Sequence, residues 1–281
     1  MARVDYDRMA AVYDAGRART PEQRAAWRSA LSPYLPPRCG CCLRPDRSGS
    51  SRVLDLGAGT GAWSPLLDAW FGVRVVAVEP SAGMRAAAVA GALGGATAGA
   101  PGQVLMAGGR AEAIPLRRGS VAAAWLSVVL HHFDDLARSA QELHRVLCGH
   151  GRVLIRGAFP DAPDLVDLTL LRRYFPGADR VIATLPRLDE TVAVFTGAGF
   201  SLEHAESVAD IAASSLRDAA ARTRLRADTA LQHLPDTEFE AGLRRLEADA
   251  AAEDPAHPPA PIFGRVPLIV FAKAESEGDA A

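Results

Sequence analysis

The chain has 281 residues, 49% of them hydrophobic and 23% charged, with a formal net charge of −2. That composition is an ordinary globular one, and the length allows a full buried core without disulfides. The near-zero charge provides no global attraction to nucleic acid or to an anionic membrane. No apolar run approaches the roughly 20 residues that cross a bilayer. The N-terminus is charged and lacks the apolar core of a signal peptide, so the expected compartment is the cytoplasm. Lys273 is the sole lysine, and arginine-rich, alanine-rich usage points to a GC-rich, bacterial genome.

Residues 1–35 read as two helices, the start of an expected helical cap over 1–40. Val4, Met9, Val12 and Tyr13 recur at helical spacing, and Pro21-Glu22-Gln23 is a good helix opening. A loop rich in Pro, Cys, Arg and Ser follows over 36–51. Cys39-Gly40-Cys41-Cys42 lies in it, but a structural zinc needs four ligands, usually as two spaced pairs. Cys148 is remote and no second pair exists, so a loop bearing thiols, with no metal, is expected. The cysteines are also too close together for a secreted disulfide framework.

From residue 52 onward, strands and helices alternate, the pattern of a parallel sheet with helices on both faces. Strands are expected near 52–56, 73–79, 103–107, 121–127 and 151–156, with an Ala-Gly-rich helix end and loop over 89–102. Residues 160–186 are mixed apolar and basic. A helix from Leu188 ends near Gly197 and Gly199, and a sixth strand follows Phe200. Residues 210–250 are charged and periodic in Leu and Ala, hence helical. Pro-rich residues 255–262 lead to a last strand over 266–272. One domain spanning 1–281 is expected, with a core at 51–157 and insertions at 158–186 and 208–262. In an open parallel sheet the ligand sits outside the carboxyl ends of the strands, and these additions are expected to form a lid there.

The most informative run is Val53-Leu54-Asp55-Leu56-Gly57-Ala58-Gly59-Thr60-Gly61. A second, Val75-Val76-Ala77-Val78-Glu79-Pro80, follows at βαβ distance. Glycines allow close backbone approach to a nucleoside ligand, and an acid at the end of the second strand can accept both ribose hydroxyls. The dinucleotide fingerprint is G-x-G-x-x-G, whereas here Gly57, Gly59 and Gly61 are spaced two and two. Asp55 would repel a pyrophosphate but accept a hydrogen bond from an ammonium. S-adenosylmethionine carries an ammonium, a ribose and an adenine, and no phosphate, so the acid favours it over NAD.

At this point the chain resembles the class I S-adenosylmethionine-dependent methyltransferases, in particular those acting on small molecules in quinone biosynthesis and secondary metabolism. The match covers about residues 51–157. It includes Ala111-Glu112-Ala113-Ile114-Pro115-Leu116, similar to the segment lining the adenine pocket. Trp125 to Phe133 resembles the fourth strand and its functional edge. Glu142 to Leu147, the turn Cys148-Gly149-His150-Gly151 and Arg152 to Ile155 resemble the following helix, turn and fifth strand. The resemblance implies a Rossmann-like seven-stranded sheet whose last strand inserts antiparallel between the fifth and sixth. It also implies a cofactor shell of Asp55, Gly57, Ala58, Gly59, Thr60, Gly61, Glu79, Pro80, Met84, Arg110, Ala111, Glu112, Ser127, Val128 and His132. Many relatives carry an acid where Arg110 stands. Arginine cannot accept a hydrogen bond, so Glu112 or a backbone carbonyl takes that role, or Arg110 stacks on the ring. The segment Tyr6–Arg17 resembles one that folds over the cofactor, with Tyr13 facing the methyl group and Arg17 pairing with the methionine carboxylate.

His131 follows the fourth strand beside the expected methyl position and is the candidate base, since imidazole titrates near neutrality. His144, His150, His204, His233 and His257 are expected at the surface. Arg172, Arg173 and Arg180 are expected on a solvated face. The resemblance implies methyl transfer to an O, N or C nucleophile of a small molecule, with neither nucleic acid nor membrane as partner. A homodimer is compatible with the sequence. The alternatives are a cofactor-assisted cyclase or rearrangement enzyme on the same fold, and a non-catalytic S-adenosylmethionine-binding protein.

Overall fold

The computed structural model describes residues 19–35, 51–93, 105–254, 259 and 261–274. Tyr13, Arg17, His257 and the cysteines at 39, 41 and 42 lie outside the described residues. A seven-stranded sheet runs in the order β3-β2-β1-β4-β5-β7-β6. Its strands are β1 (Arg52–Leu56), β2 (Arg74–Val78), β3 (Leu105–Ala107), β4 (Val121–Ser127), β5 (Leu147–Arg156), β6 (Phe200–Ala213) and β7 (Ile262–Lys273). The first five pair in parallel. β7 inserts antiparallel between β5 and β6. The parallel part is what the alternation of elements predicts, and the Rossmann-like seven-stranded whole with its antiparallel last strand is what the resemblance implies.

Both faces of the sheet are buried, so its central strands are nearly continuous apolar runs. On one face Leu54, Leu126 and Ile155 pack with Leu143 and Val146 of the helix Leu136–Val146 and with Phe195 of the helix Leu188–Gly197. On the other, Val53, Trp125 and Leu154 pack with Trp27 and Leu31 of the helix Pro21–Leu31 and with Leu67 of the helix Ser64–Phe71. The helix at Pro21 starts where expected because Thr20 and Gln23 form a reciprocal capping box. Asp135 caps the helix Leu136–Val146 by accepting from the Arg138 amide at 2.9 Å.

A third apolar cluster lies apart from the sheet. Tyr174, Phe175, Val181 and Ile182 from the first insertion meet Leu231, Leu234, Phe239 and Leu246 from the second. The expected charged face of the first insertion is present and ties the layer together. Arg172 bonds Asp179, Arg173 bonds Asp249 and Arg180 bonds Glu238.

Four expectations need correction. Cys148-Gly149-His150-Gly151 is not a turn between helix and strand. β5 already begins at Leu147, which pairs with Val121, and the register shifts before Ala123 meets Arg152. An irregular ladder absorbs the glycines that read as a turn. β6 runs to Ala213, so the helical stretch starts only at Leu216. β7 correspondingly begins at Ile262, because it continues to pair with β6 there. His144 is half-buried rather than superficial, its ring 5.5 Å from that of Phe200. Burial and then the charge of Lys273 push its imidazole below the ordinary range.

Gly242 of the helix Asp236–Ala251 explains how the two insertions approach so closely. A Cβ there would run into the Phe175 ring and the Tyr174 carbonyl, and the Phe175 ring stacks on Phe239 at 5.9 Å. Gly242→Ala should therefore destabilise the protein by about 1–3 kcal/mol, the usual cost of overpacking, as measured by denaturant unfolding. An unchanged midpoint would show that the layer has room to shift.

Candidate functional site

The parallel registers bring four strand ends together. Leu56 is level with Val78 of β2 and Leu126 of β4, and Ser127 is level with Arg156 of β5. Each strand hands its chain to a loop at that edge, and the loops enclose a cavity of about 400 Å³. This falls within the range of pockets that hold small ligands and cofactors.

The turn after β1 forms the cavity floor. Gly57, Gly59 and Gly61 have φ of 70°, 57° and 76°, the left-handed region that glycine enters without Cβ strain. The amides of Gly57 and Ala58 donate to the Val78 carbonyl at 2.8 and 3.2 Å. A Cβ on Gly57 would lie 2.7 Å from Val129 Cγ1, so only glycine lets the turn lie against the β4 end. Gly57, Ala58, Gly59 and Thr60 line the cavity. Gly61 stands just beyond them: its amide donates to the Ala58 carbonyl at 2.9 Å and closes the turn.

Two acids flank this turn. Glu79 is buried, and its oxygens accept from the Gly59 amide at 2.9 Å and the Ser81 amide at 2.8 Å. Asp55 is 2% exposed and accepts from the Ser64 hydroxyl at 2.7 Å. Burial pushes its carboxyl up to about 6. The Ser64 hydrogen bond and the charge of Arg19 pull it down, and Glu79 adds to the rise. A carboxylate held this way favours an incoming cation, which would restore its ionised form.

Pro80, Met84, Arg110, Ala111, Glu112, Ser127, Val128 and His132 also line the cavity. Arg110 bonds Asp134 and lies 3.6 Å from Glu112. Glu112 in turn accepts the amides of Asp134 at 2.8 Å and Asp135 at 3.3 Å. Burial acts to raise the Glu112 carboxyl, but its hydrogen bonds to backbone amides and the Arg110 charge hold it below the ordinary range. Arg110 is thus held by acids in the place where many relatives carry an acid.

His131 and His132, with ring centroids 3.9 Å apart, diverge in placement. His132 lines the first cavity. His131 lines a second one of about 120 Å³, which shares Val128, Val129 and Arg156 with the first. Val128 has φ 59°, unusual and costly for a β-branched residue. Its amide donates to the Arg156 carbonyl at 2.7 Å, which holds the chain in that bend.

Arg19, Trp63, Ser81 and Arg156 line the first cavity and were not among the expected residues. Arg19 lies 4.0 Å over the Trp63 ring, and the Arg156 guanidinium is 5.2 Å from the centroid of Trp27 and 5.9 Å from that of Trp63. A sequence signal existed for Arg156, which ends a predicted strand and so falls at the ligand edge. Among the described residues, no cluster of three or more His, Cys, Asp or Glu is placed to hold a metal. None of the described helices is long and apolar enough to cross a membrane.

Residues 54–155 match the family described as methyltransferase domain. No curated protein matches the chain in sequence. Among solved structures it is similar to a candidate methyltransferase from an antibiotic biosynthesis pathway of Anabaena variabilis. That match is 24% identical, covers 88% of this chain and 96% of the other, and has a TM-score of 0.58. Geranyl diphosphate C-methyltransferase from Streptomyces coelicolor, solved with Mg²⁺, geranyl diphosphate and S-adenosyl-L-homocysteine, is 16% identical over 93% and 85% of the two chains, at 0.54. The [4+2]-cyclase SpnF is 15% identical over the same 93% and 85%, at 0.56. At such identities the structural likeness speaks for the fold, and the family match speaks for the domain. The family match is thus confined to residues 54–155, and the chain shares the Rossmann-like fold of these solved structures.

Proposed function

We propose that the chain binds S-adenosylmethionine in the larger cavity and methylates a small molecule, a secondary metabolite being the class the resemblance favours. The observation that carries this reading is the pair of buried acids on either side of the glycine turn, Asp55 and Glu79. The bound cofactor supplies an electrophilic methyl group on a sulfonium. The Glu79 oxygens accept the Gly59 and Ser81 amides, and a carboxylate oxygen can accept more than one hydrogen bond, so Glu79 takes the ribose hydroxyls. Asp55 receives the ammonium. Arg19, within the described residues and lining the cavity, takes the methionine carboxylate together with Arg17, for which the resemblance implies the same role. Pro80, Met84 and Ala111 hold the adenine. Glu112 positions the loop at Asp134 and Asp135 through their amides. Ser127, Val128 and His132 shape the methionine end.

The second cavity, next to His131, receives the acceptor, and the two insertions act as its lid. Their residues Leu168, Val181, Ile182 and Ala230 line it, which supports a small molecule over a macromolecule. His131 takes the acceptor's proton where there is one to remove. The similarity of the fold to a [4+2]-cyclase keeps product mass decisive: a gain of one methyl group supports transfer, and an isomer of the substrate supports cyclisation.

Three results are expected. Calorimetry should show S-adenosylhomocysteine binding, weakened by about 1.5–3 kcal/mol in Glu79→Ala, the scale of hydrogen bonds to a charged group. Tight NAD binding without S-adenosylhomocysteine would contradict the reading.

The second result concerns pH. Because the Asp55 carboxyl is raised to about 6, the protonated acid loses its hold on the ammonium below that pH. Cofactor affinity should fall about tenfold between pH 7 and pH 5. The free protein should show the opposite sign from this group, which stabilises the fold when protonated and loses that contribution as pH rises through about 6. A flat affinity profile over this window would remove Asp55 from contact with the ammonium.

Thirdly, His131→Ala should lower turnover about 10²–10⁴-fold while S-adenosylhomocysteine binding persists. Retention of most activity in His131→Gln would show that the residue only shapes the pocket.

A further inference from the structure

The second cavity limits what the acceptor can be. Leu130 and Phe159, from the segments that follow β4 and β5, line it together with Leu168, Leu171, Ile182 and Leu185 of the first insertion. At about 120 Å³ it is somewhat smaller than the apolar cavity of about 150 Å³ that accommodates benzene in another protein. A group of about one ring fills it.

Polar side chains supply few partners here. His131, Arg156, Asp228 and Thr229 also line the cavity. Asp228 is exposed, and its Oδ1 accepts the Ala230 amide at 2.8 Å and caps the short helix Thr229–Gln232. The Arg156 guanidinium lies against the rings of Trp27 and Trp63. An arginine and an aspartate both border the space, so the lining as a whole selects neither sign of charge. What it selects is apolar surface. A ring with a hydroxyl on every carbon would leave most of them unpaired against leucine, isoleucine and phenylalanine, and each unpaired group costs affinity.

Two leucines set the size of the space. Leu171 belongs to the helix Thr169–Tyr174, and Leu185 comes just after the helix Ala178–Ile182. Both pack against the apolar core of the helical layer. Both line the second cavity and not the first. The Phe175 amide donates to the Leu171 carbonyl at 2.7 Å, and the Phe175 ring stacks on Phe239 of the second insertion. Leu171 is thus tied to both insertions, which keeps it from yielding to a larger ligand. We infer that the acceptor presents to this cavity an uncharged, apolar group of about one ring, and that Leu171 and Leu185 exclude a larger one. The selection acts on the body of the acceptor, while its reacting atom lies near Val128 and Val129, which border both cavities. This rests on the cofactor reading above.

The test uses the full chain saturated with S-adenosylhomocysteine and three neutral probes titrated by calorimetry: benzyl alcohol, 2-naphthalenemethanol and myo-inositol. Benzyl alcohol should bind at least about tenfold more tightly than myo-inositol, a ring of like size covered in hydroxyls. It should also bind at least about tenfold more tightly than 2-naphthalenemethanol, although a second ring in unlimited space would favour the larger probe. Leu171→Ala and Leu185→Ala each open the wall. Each should abolish or reverse that second preference and leave S-adenosylhomocysteine affinity within about twofold. Leu185→Trp should weaken benzyl alcohol at least about tenfold by filling the space. Equal binding of myo-inositol and benzyl alcohol would overturn the inference. So would a larger probe that binds the parent chain as tightly as the smaller one, benzyl alcohol that fails to bind while S-adenosylhomocysteine binds, or affinities unchanged in all three variants. Failure of S-adenosylhomocysteine itself to bind would instead overturn the cofactor reading, and this inference with it.

Discussion

The site depends on how closely the turn after β1 can approach the ends of β2 and β4. Gly57 makes that approach possible, since any Cβ there would meet Val129. Once the turn is seated, its amides reach the Val78 carbonyl, and the Gly59 amide reaches the Glu79 carboxylate. The acid that would receive a ribose is thus held by the same loop that would pass beneath it. Val129 also lines both cavities, so one backbone approach sets the floor of the first and the edge of the second.

Charge is arranged around this turn with equal economy. Asp55 is almost fully buried and leans on one hydroxyl and a nearby arginine. Burying a carboxylate so is unfavourable for the free protein and becomes useful when a cation arrives. Arg19 and Arg156 stand on the same cavity wall, stacked over the tryptophans that fill the adjoining core. The tryptophan cluster therefore supports the fold and fixes the position of two cations at the site. Beyond the sheet, the two insertions have an apolar core of their own, so the helical layer can present a formed wall to the second cavity.

How much of this was legible in the sequence depends on how local the signal is. Asp55, the glycines and Glu79 lie within one βαβ unit, and their order along the chain encodes their order around the cavity. The alternation of the parallel strands was legible for the same reason, and the antiparallel place of β7 was implied by the resemblance; the reading failed where local and non-local signals conflict. Gly149 and Gly151 read as a turn, but β4 pairing draws the segment into β5. The β6–β7 ladder extends past the residues whose composition marks a helix or a proline-rich loop. Ser81 and Trp63 stand within two residues of the motifs that point to a ligand, whereas Arg19 escaped notice because nothing beside it in the chain points to one, and only the folded sheet brings it to the cavity. The neighbouring histidines illustrate the limit well. One short turn after β4 sends His132 to the first cavity and His131 to the second, a separation that adjacency in sequence cannot express.

The central claim is that the cavity over the glycine turn is the S-adenosylmethionine site. Amide hydrogen exchange with and without saturating S-adenosylhomocysteine tests it most directly. The account predicts new protection at residues 57–60, 79–84, 110–112 and 127–132, with little change in the strands already buried. Binding accompanied by protection elsewhere on the chain, and none at Gly59 and Glu79, would contradict it.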